Sequence, residues 1–431
     1  MGVFPQKCVY ILCVKFRNCA VYRCPFRIFD MKFLKHEMKG MKYNFDEIVE
    51  RRGTGSVKVD GVKTFWGRED LMPLWVADMD FRTPPFVVDA IEARSQKGVL
   101  GYTFTPSDWN SVVAKWLKDR HGWAVSGECI NPIAGVVPGM ALALLCYTQP
   151  GDAVLIQPPV YHPFFEIVEH NDRKLCQNPL LFDGVNYRMD FDDFEKKVAG
   201  CKVFLLCNPH NPGGRVWSKD ELVKVAEICA RHHVLVISDE IHADMAHTPH
   251  KHLPFASVSE EAAQNSVTFM SATKSFNMPA LAQAYTVVLN DALRHKLLKF
   301  QDALHLRFGN VFALEAMMAA YTEEGREWLD QMLAYVGENI DFVDAFLKRE
   351  DLKIKLVRPQ ASFLVWLDCR DLGLKQMKLK SLFEDGAHLA LNNGTMFGKE
   401  GEGFMRLNVA SPRSVIEEAL VRLRDTLRRA F

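Results

Sequence analysis

The sequence predicts an α/β protein whose large domain has a mostly parallel central sheet, followed by a smaller α+β domain at the carboxyl end. Short runs that are apolar at every position, such as Val203–Cys207, alternate with amphipathic stretches. Continuous apolar strands indicate a sheet covered on both faces, and strand–helix alternation favours parallel pairing. A length of 431 residues also exceeds that of one typical hydrophobic core.

The individual elements follow from these patterns in chain order. The stretch 218–232 predicts a helix, because Ser218 and Glu221 form a capping box ahead of an apolar stripe. A long amphipathic helix is predicted over Glu323–Arg349, and a terminal helix from Ser414. The strands of the large domain are predicted at 153–157, Val203–Cys207, 234–238, Ser266–Met270 and 285–289, and those of the small domain at 362–367 and 404–409.

The amino-terminal stretch 1–41 differs from the rest of the chain. Basic side chains interrupt its apolar run, so it lacks the uninterrupted core of a secretory signal peptide. We interpret it as an extension outside the fold, with Met38 or Met41 as the true initiator. The predicted organisation is this extension over 1–41, a segment over 42–90 that packs with the small domain, a large domain over 91–325 and a small domain over 326–431.

Composition excludes several classes of protein. Lys and Arg number 53, as do Asp and Glu, and this balance argues against a partner such as nucleic acid that is attracted by positive charge. A hydrophobic content of 48% excludes a disordered chain, and no apolar run approaches the length of a membrane span. Scattered single cysteines are typical of a reducing compartment, which predicts a cytoplasmic enzyme.

Polar side chains follow three of the predicted strands. Asn211 comes after the strand that ends at Cys207, Asp239 follows the next strand, and Lys274 follows the third. Because ligands of open α/β sheets bind beyond the carboxyl ends of the strands, we expect these side chains to meet. Pyridoxal 5′-phosphate (PLP) is held by a lysine at its aldehyde and by a carboxylate at its pyridine nitrogen. The sequence therefore predicts a PLP site, with Lys274 also acting as the base that takes the substrate Cα proton.

Further contacts to the cofactor are expected from the same edge and from a nearby helix. A helix that begins near residue 136 has free amides in its first turn, which form an anion site. Taken singly, each of these residues also has an ordinary structural interpretation, such as a turn or a helix cap. The predicted contacts are Tyr161 stacking on the ring, Asn211 and His242 at the phenolic oxygen, and Ser271, Gly139 and Met140 at the phosphate.

A nearby histidine-rich tract does not predict a metal site. His242, His247, His250 and His252 lack the HExxH spacing, and no cysteine accompanies them. We expect this tract to be a solvent-exposed loop.

These motifs resemble those of the fold-type I PLP enzymes, the aspartate aminotransferase superfamily. The resemblance covers about residues 42–431 and is closest to the MalY/PatB-type cystathionine β-lyases. One departure from the superfamily pattern is His242, which stands where a tyrosine is usual. The motifs lie at 75–81, 101–103, 211–214, 239–242, 271–274 and 406–408.

The resemblance implies further roles. Tyr102 matches a catalytic-site tyrosine that reaches the cofactor phosphate of the neighbouring subunit, which implies a homodimer with shared active sites. Arg406 matches the arginine that binds the substrate α-carboxylate, a bidentate task that suits a guanidinium group. The implied reaction is β-elimination from L-cystathionine or related cysteine S-conjugates, giving a thiol, pyruvate and ammonia.

Two other functions remain open. An aminotransferase for an aromatic or broad range of amino acids uses the same machinery up to the loss of the Cα proton. The other is a regulatory protein that retains the fold. A version fused to a DNA-binding domain is disfavoured, because the residues before 42 show no helix-turn-helix pattern, whereas regulation through protein contact stays open.

Overall fold

The computed structural model describes residues 42–307 and 309–430, so the predicted extension over 1–41 lies outside the described residues. The helices are α1 (Gly61–Trp66), α2 (Pro85–Ser95), α3 (Trp109–His121), α4 (Val136–Tyr147), α5 (Pro163–Glu169), α6 (Phe191–Val198), α7 (Lys219–Arg231), α8 (Glu260–Gln264), α9 (Asp291–Ala303), α10 (Val311–Ala320), α11 (Glu323–Arg349), α12 (Gln376–Ser381) and α13 (Arg413–Ala430). The strands are β1 (Met72–Pro73), β2 (Ile130–Ile133), β3 (Ala153–Ile156), β4 (Lys174–Gln177), β5 (Leu181–Phe182), β6 (Tyr187–Arg188), β7 (Val203–Cys207), β8 (Leu235–Asp239), β9 (Ser266–Met270), β10 (Ala284–Val287), β11 (Lys355–Val357), β12 (Leu364–Asp368), β13 (Leu389–Ala390), β14 (Asn392–Asn393) and β15 (Phe404–Asn408).

The central sheet has seven strands in the order β2-β10-β9-β8-β7-β3-β4. Neighbouring strands from β9 to β4 pair in parallel, whereas β10 is antiparallel to both β9 and β2. The mostly parallel α/β sheet predicted from the sequence is therefore confirmed.

Strand β7 shows why the sheet strands are apolar throughout. Its five residues are all buried, and they alternate between two hydrophobic clusters. Phe204 and Leu206 join the cluster that includes residues of α6 and α7, while Val203 and Leu205 join the one that includes residues of α4 and α5. Helices thus cover both faces of the sheet, as continuous apolar strands require.

Most predicted elements are confirmed within a few residues. Strands β7 and β9 and helix α11 have the predicted bounds, and Ser218 and Glu221 form the expected capping box at the start of α7. Strand β8 ends at Asp239, so this acid belongs to the strand itself and not to the turn after it. That position fixes the carboxyl group to the end of a rigid element.

A second sheet of four antiparallel strands, in the order β11-β12-β15-β14, lies in the carboxyl-terminal part. The early segment of the chain joins this part, because β1 pairs with β13 and the amide of Asp80 donates to the carbonyl oxygen of Ala410 at 2.9 Å. The same segment also bonds elsewhere, since the amide of Met79 donates to Asn277 Oδ1 at 2.9 Å. The domain boundaries at 90 and 325 stay a prediction.

Among the described residues, no helix has both the length and the apolar character needed to cross a membrane. The cysteines of the described part are all free, and each is buried except for the half-buried Cys176.

Candidate active site

A cavity of about 230 Å³ opens at the carboxyl ends of β7 and β8. Five of the residues predicted from the sequence line it: Lys274, Asp239, Asn211, His242 and Tyr161. The remaining lining is largely apolar and comes from the start of α4 and from the segment 279–283. The strand ends therefore bring these side chains together as the topology of the sheet predicts.

Lys274 follows β9 and extends into the cavity. Its Nζ donates a hydrogen bond to the carbonyl oxygen of Ala77 at 2.6 Å. The pKa of Lys274 is lowered to about 8, mainly because of burial; Arg406 also lowers it, whereas Asp78 and Asp239 act in the opposite direction. A lysine with this pKa supplies a useful fraction of free amine near neutral pH, as a nucleophile or general base requires.

Asp239 is the buried acid of the cavity. Burial raises its pKa to about 7, while the Ile241 amide, which donates to Oδ1 at 3.1 Å, lowers it. The adjacent Glu240 raises the pKa further, and Lys274 lowers it. A cationic group placed against this carboxyl group would restore its ionised form.

Asn211 links the cavity to Arg406. Arg406 Nη1 donates to Asn211 Oδ1 at 3.1 Å, and its Nη2 donates to Asn392 Oδ1 at 2.6 Å and to the carbonyl oxygen of Trp75 at 3.2 Å. Arg406 does not line the cavity itself, and burial lowers its pKa to about 10, which leaves it cationic at neutral pH. Its Nε is buried and has no partner among the described residues, so this donor is unsatisfied.

The start of α4 borders the cavity through Gly135, Val136 and Val137. Gly135 has a φ of +96° and provides no side-chain cap, so the first amides of the helix remain available to an anion. The predicted residues Gly139 and Met140 lie one turn further on and do not line the cavity. A Cβ atom on Gly139 would stand 2.6 Å from the Phe269 ring, which gives this glycine a packing role.

Ser271 lies behind the cavity wall. Its Oγ donates to the carbonyl oxygen of Gln283 at 2.6 Å and accepts from the amide of Thr273 at 3.0 Å. Thr273 and Gln283 line the cavity, whereas Ser271 does not. The contact of Ser271 with a phosphate stays a prediction, and the hydrogen bonds show that it shapes the loop carrying Lys274.

His242 and Tyr161 occupy the cavity wall. Burial lowers the pKa of His242 to about 3, with further lowering by Lys274 and Arg406, so its ring is neutral. His242 Nδ1 is buried without a partner among the described residues. Burial raises the pKa of Tyr161, which keeps its phenol protonated, and its amide donates to the carbonyl oxygen of Asn211 at 3.0 Å.

Tyr102 is not brought to this cavity within the chain. It is 97% exposed and lies in a loop with other exposed apolar side chains. These are Val99, Leu100 and Phe104.

The expectation that the histidine tract is a solvent-exposed loop is wrong for most of its members. His250 is exposed, but His242 and His252 are 4% exposed and His247 is half-buried. Hydrogen bonds hold two of these rings against the fold, since His252 Nε2 lies 2.7 Å from Glu240 Oε2 and His247 Nε2 lies 2.7 Å from the carbonyl oxygen of Ser362. Among the described residues, no group of three or more ligand side chains is arranged to hold a metal ion.

Several residues of the site have no signal that sequence reasoning could use. The Ala77 carbonyl that receives Lys274 is backbone, and any residue carries one. Asn392 contacts Arg406 from a short strand 14 residues away, and no motif marks it. Thr273 lies inside the Ser271–Lys274 motif, so the motif itself was the signal for it.

Comparisons with known proteins now identify the family. The model of the family described as aminotransferase class I and II matches residues 69–423. The chain belongs to this family. Cystathionine β-lyase PatB of Bacillus subtilis is 42% identical over 390 residues, covering 89% of this chain and 100% of PatB. Protein MalY of Escherichia coli is 33% identical, covering 90% of this chain and 99% of MalY.

A solved structure is similar as well. The PLP-bound putative aminotransferase from Clostridium difficile 630 superimposes with a TM-score of 0.87 at 40% identity, over 89% of this chain and 100% of that one. The resemblance to fold-type I enzymes that the sequence motifs indicate is thus confirmed.

Proposed function

We propose that this protein is a PLP-dependent carbon–sulfur β-lyase that acts on L-cystathionine or related cysteine S-conjugates. The observation that carries the proposal is the meeting of Lys274 and Asp239 in one cavity, where burial moves both pKa values towards neutrality. The similarity to a protein named cystathionine β-lyase PatB favours elimination over other PLP reactions. The products are a thiol, pyruvate and ammonia.

The residues of the cavity fit PLP. Lys274 offers an amine to the aldehyde, and the buried Asp239 offers a carboxyl group that a protonated ring nitrogen would hold ionised. The unpartnered Nδ1 of His242 and the uncapped amides at the start of α4 can form hydrogen bonds with polar atoms of the cofactor. Bound PLP supplies the electron sink that stabilises negative charge at the substrate Cα.

The chain itself binds the substrate and moves its proton. Arg406 is fixed by Asn211, Asn392 and Trp75, and we assign the substrate α-carboxylate to it because its buried Nε–H lacks a partner among the described residues. Lys274, with a pKa near 8, takes the Cα proton. Its ammonium form can then donate to the Ala77 carbonyl oxygen, which lies 2.6 Å from Nζ and holds the side chain in the cavity. Departure of the thiolate from Cβ completes the elimination, and water hydrolyses the released 2-aminoacrylate, through its imine form, to pyruvate and ammonia.

A second candidate is an aminotransferase. The family description and the printed title of the Clostridium difficile structure both name this activity. In that reaction Lys274 returns the proton to the cofactor side, and a 2-oxo acid is needed as acceptor. The requirement for an oxo acid therefore discriminates the two reactions.

The deciding experiment incubates purified protein with PLP and L-cystathionine in the absence of any oxo acid. We expect free thiol and pyruvate to appear in equal amounts over many turnovers, and we expect both to vanish in Lys274→Ala. A single turnover that stops at pyridoxamine phosphate and resumes with a 2-oxo acid would refute the lyase and support the aminotransferase.

We also propose a homodimer with shared active sites. The exposed apolar loop with Val99, Leu100, Tyr102 and Phe104 supports it, because such a patch is typical of an interaction surface. Coexpression of Lys274→Ala with Tyr102→Ala tests it. If Tyr102 acts in the other subunit's site, the mixed dimer has one intact site and regains activity that neither variant has alone. Absence of regain, with mixed dimers present, would refute sharing.

We place the enzyme in the cytoplasm, and the free, mostly buried cysteines support a reducing compartment. Reaction of the unfolded protein with a thiol reagent, straight after extraction, tests this. A disulfide among the described cysteines would contradict it.

A further inference from the structure

Four buried side chains form a row behind the cavity, and the proposed chemistry uses none of them. Glu240 Oε2 lies 2.7 Å from His252 Nε2, and Asp244 Oδ1 lies 2.9 Å from His121 Nε2. The two imidazole rings meet edge to face with centroids 5.4 Å apart. At most 4% of each of these side chains is exposed. We call this group, Glu240, His252, His121 and Asp244, the buried row.

Both ends of the buried row adjoin residues of the candidate site along the chain. Glu240 directly follows Asp239 at the end of β8. At the other end, Asp244 Oδ2 accepts a hydrogen bond from Ser275 Oγ at 3.2 Å, and Ser275 directly follows Lys274. The row therefore supports the backbone behind both reactive groups.

The hydrogen bonds around Glu240 indicate that it is ionised. Its Oε1 accepts from Ser238 Oγ and from the amide of Phe255, each at 2.8 Å, and its Oε2 lies 2.7 Å from His252 Nε2. With two donors already at Oε1, a carboxylate that accepts from an Nε2–H of His252 satisfies both members of the pair. The carboxylate assigns the proton of a neutral His252 to Nε2, which agrees with a buried Nδ1 that has no partner among the described residues.

A fixed negative charge beside Asp239 changes how strongly Asp239 holds a proton. A like charge makes a neighbouring carboxyl group hold a shared proton more strongly, and burial strengthens this effect because the surroundings screen it poorly. Glu240 acts on Asp239 in this direction. A ring nitrogen that shares its proton with Asp239 experiences the same field and is held in the protonated form.

We propose that Glu240, kept ionised by His252, is a positioning residue that strengthens the bond between Asp239 and the protonated ring nitrogen of PLP. The inference rests on the proposed function, because it requires PLP in the cavity. It assigns the buried Glu240–His252 pair to the control of cofactor electronics, in addition to holding β8 in place.

The test compares two cofactors on the same protein. One is PLP, and the other is its carbocyclic analogue, in which a C–H group replaces the ring nitrogen. The variant is Glu240→Gln, which keeps the shape and the acceptor for Ser238 and Phe255, while His252 can move its proton to Nδ1. We expect the affinity for PLP, followed by the visible absorbance of the bound cofactor, to fall roughly tenfold. The affinity for the analogue should not change.

Matched variants exclude a merely structural effect. Asp244→Asn removes the other carboxylate of the buried row, which is not among the groups that shift the pKa of Asp239. Any change that it causes in affinity should therefore be the same for PLP and for the analogue. His252→Leu removes the donor to Glu240 and should behave as Glu240→Gln does. His252→Gln retains an N–H donor and should keep the wild-type preference for PLP.

Two results would overturn the proposal. Equal losses of affinity for PLP and its analogue in Glu240→Gln would show that Glu240 acts on the fold alone, and no loss for either would show that its charge is irrelevant. Failure of the wild-type protein to bind PLP would instead refute the proposed function, so the two failures are distinguishable.

Discussion

The charges around Lys58 and the charges around Lys274 are both enclosed by protein, but they are partnered in opposite ways. Lys58 is fully buried, and its Nζ lies 2.8 Å from Asp80 Oδ2, while Arg51 bonds both Asp80 and Asp78. Burial alone would raise the pKa of Asp80, but Lys58, Ser411 and Arg51 bring it below its usual value. This ion-pair cluster is satisfied within the chain.

The cavity charges are not satisfied in this way. Burial dominates the pKa of Lys274, Asp239 and Arg406, and each is displaced in the direction that disfavours its charge. We infer that the ion-pair cluster around Lys58 stabilises the fold, whereas the buried charges of the cavity destabilise the apoprotein until a ligand partners them. Substitutions in the two regions should therefore have opposite effects on stability.

The largest effect is expected from Lys274→Met. Turnover of L-cystathionine should fall by at least about 10⁴-fold, because the variant has neither amine nor base. The apoprotein should be no less stable at pH 7. The folded pKa of Lys274 lies below its unfolded value, so its stabilising contribution exists at high pH and is lost as the pH falls through about 8.

Thermal unfolding of the apoprotein and the rate of pyruvate release measure the two effects of this variant. A clear loss of apoprotein stability at pH 7 would contradict the comparison, because it would place Lys274 with the structural charges.

Asp239→Asn should stabilise the apoprotein. The folded pKa of Asp239 is raised to about 7 from an unfolded value near 3.8. The wild-type protein therefore has its full stability below the unfolded pKa and loses stability as the pH rises to the folded pKa, because the buried carboxyl group resists ionisation. Above pH 7 the variant escapes this loss and should gain up to about 4 kcal/mol in free energy of unfolding. Denaturant titrations at pH 5 and pH 8 check the expectation, and a gain that does not grow with pH would refute it.

Asp80→Asn should lower the free energy of unfolding, the opposite of the effect expected from Asp239→Asn. The substitution leaves the ammonium of the fully buried Lys58 without its close partner, and such unpaired charges typically cost about 3 kcal/mol. The midpoint of denaturant unfolding should fall accordingly. The cavity should be affected indirectly, if at all, so the cofactor affinity per folded molecule is the control. An unchanged midpoint would mean that the ion-pair cluster does not stabilise the fold.

The smallest effect is expected from Glu47→Gln. Glu47 pairs with Arg82 at 2.6 Å, but both side chains are open to solvent. Water screens exposed pairs, so the melting temperature should stay within experimental error of the wild-type value. A distinct drop would show that burial is not what separates the strong ion pairs of this protein from the weak ones.

Much of the fold was predictable because the relevant signals are local. Val203–Cys207 and Ser266–Met270 are apolar at every position, and only a strand covered on both faces requires that. The capping box at Ser218 and Glu221 likewise depends on residues three positions apart. The antiparallel strand Ala284–Val287 was not distinguished from its parallel neighbours, because pairing direction depends on the route of the chain between strands.

The candidate site was predictable to the extent that it follows strand ends. Asn211 and Lys274 each follow a strand of the same sheet and Asp239 ends another, so the topology alone brings them together. Ser271 and Gly139 share the right motifs, yet their side-chain surroundings are an internal hydrogen-bond network and a packed aromatic ring. Motif spacing does not report which way a side chain faces.

The residues alone predict the α/β fold, the family and the set of groups that PLP chemistry needs, because strand periodicity and motif order are properties of the linear chain. How each charge is partnered depends on the folded structure. It placed Ala77 against Lys274, Asn392 against Arg406 and His252 against Glu240, across separations along the chain that no motif records. Those contacts decide which buried charges are neutralised within the fold and which stay open for a ligand, since burial and distance set the free energy of a charge.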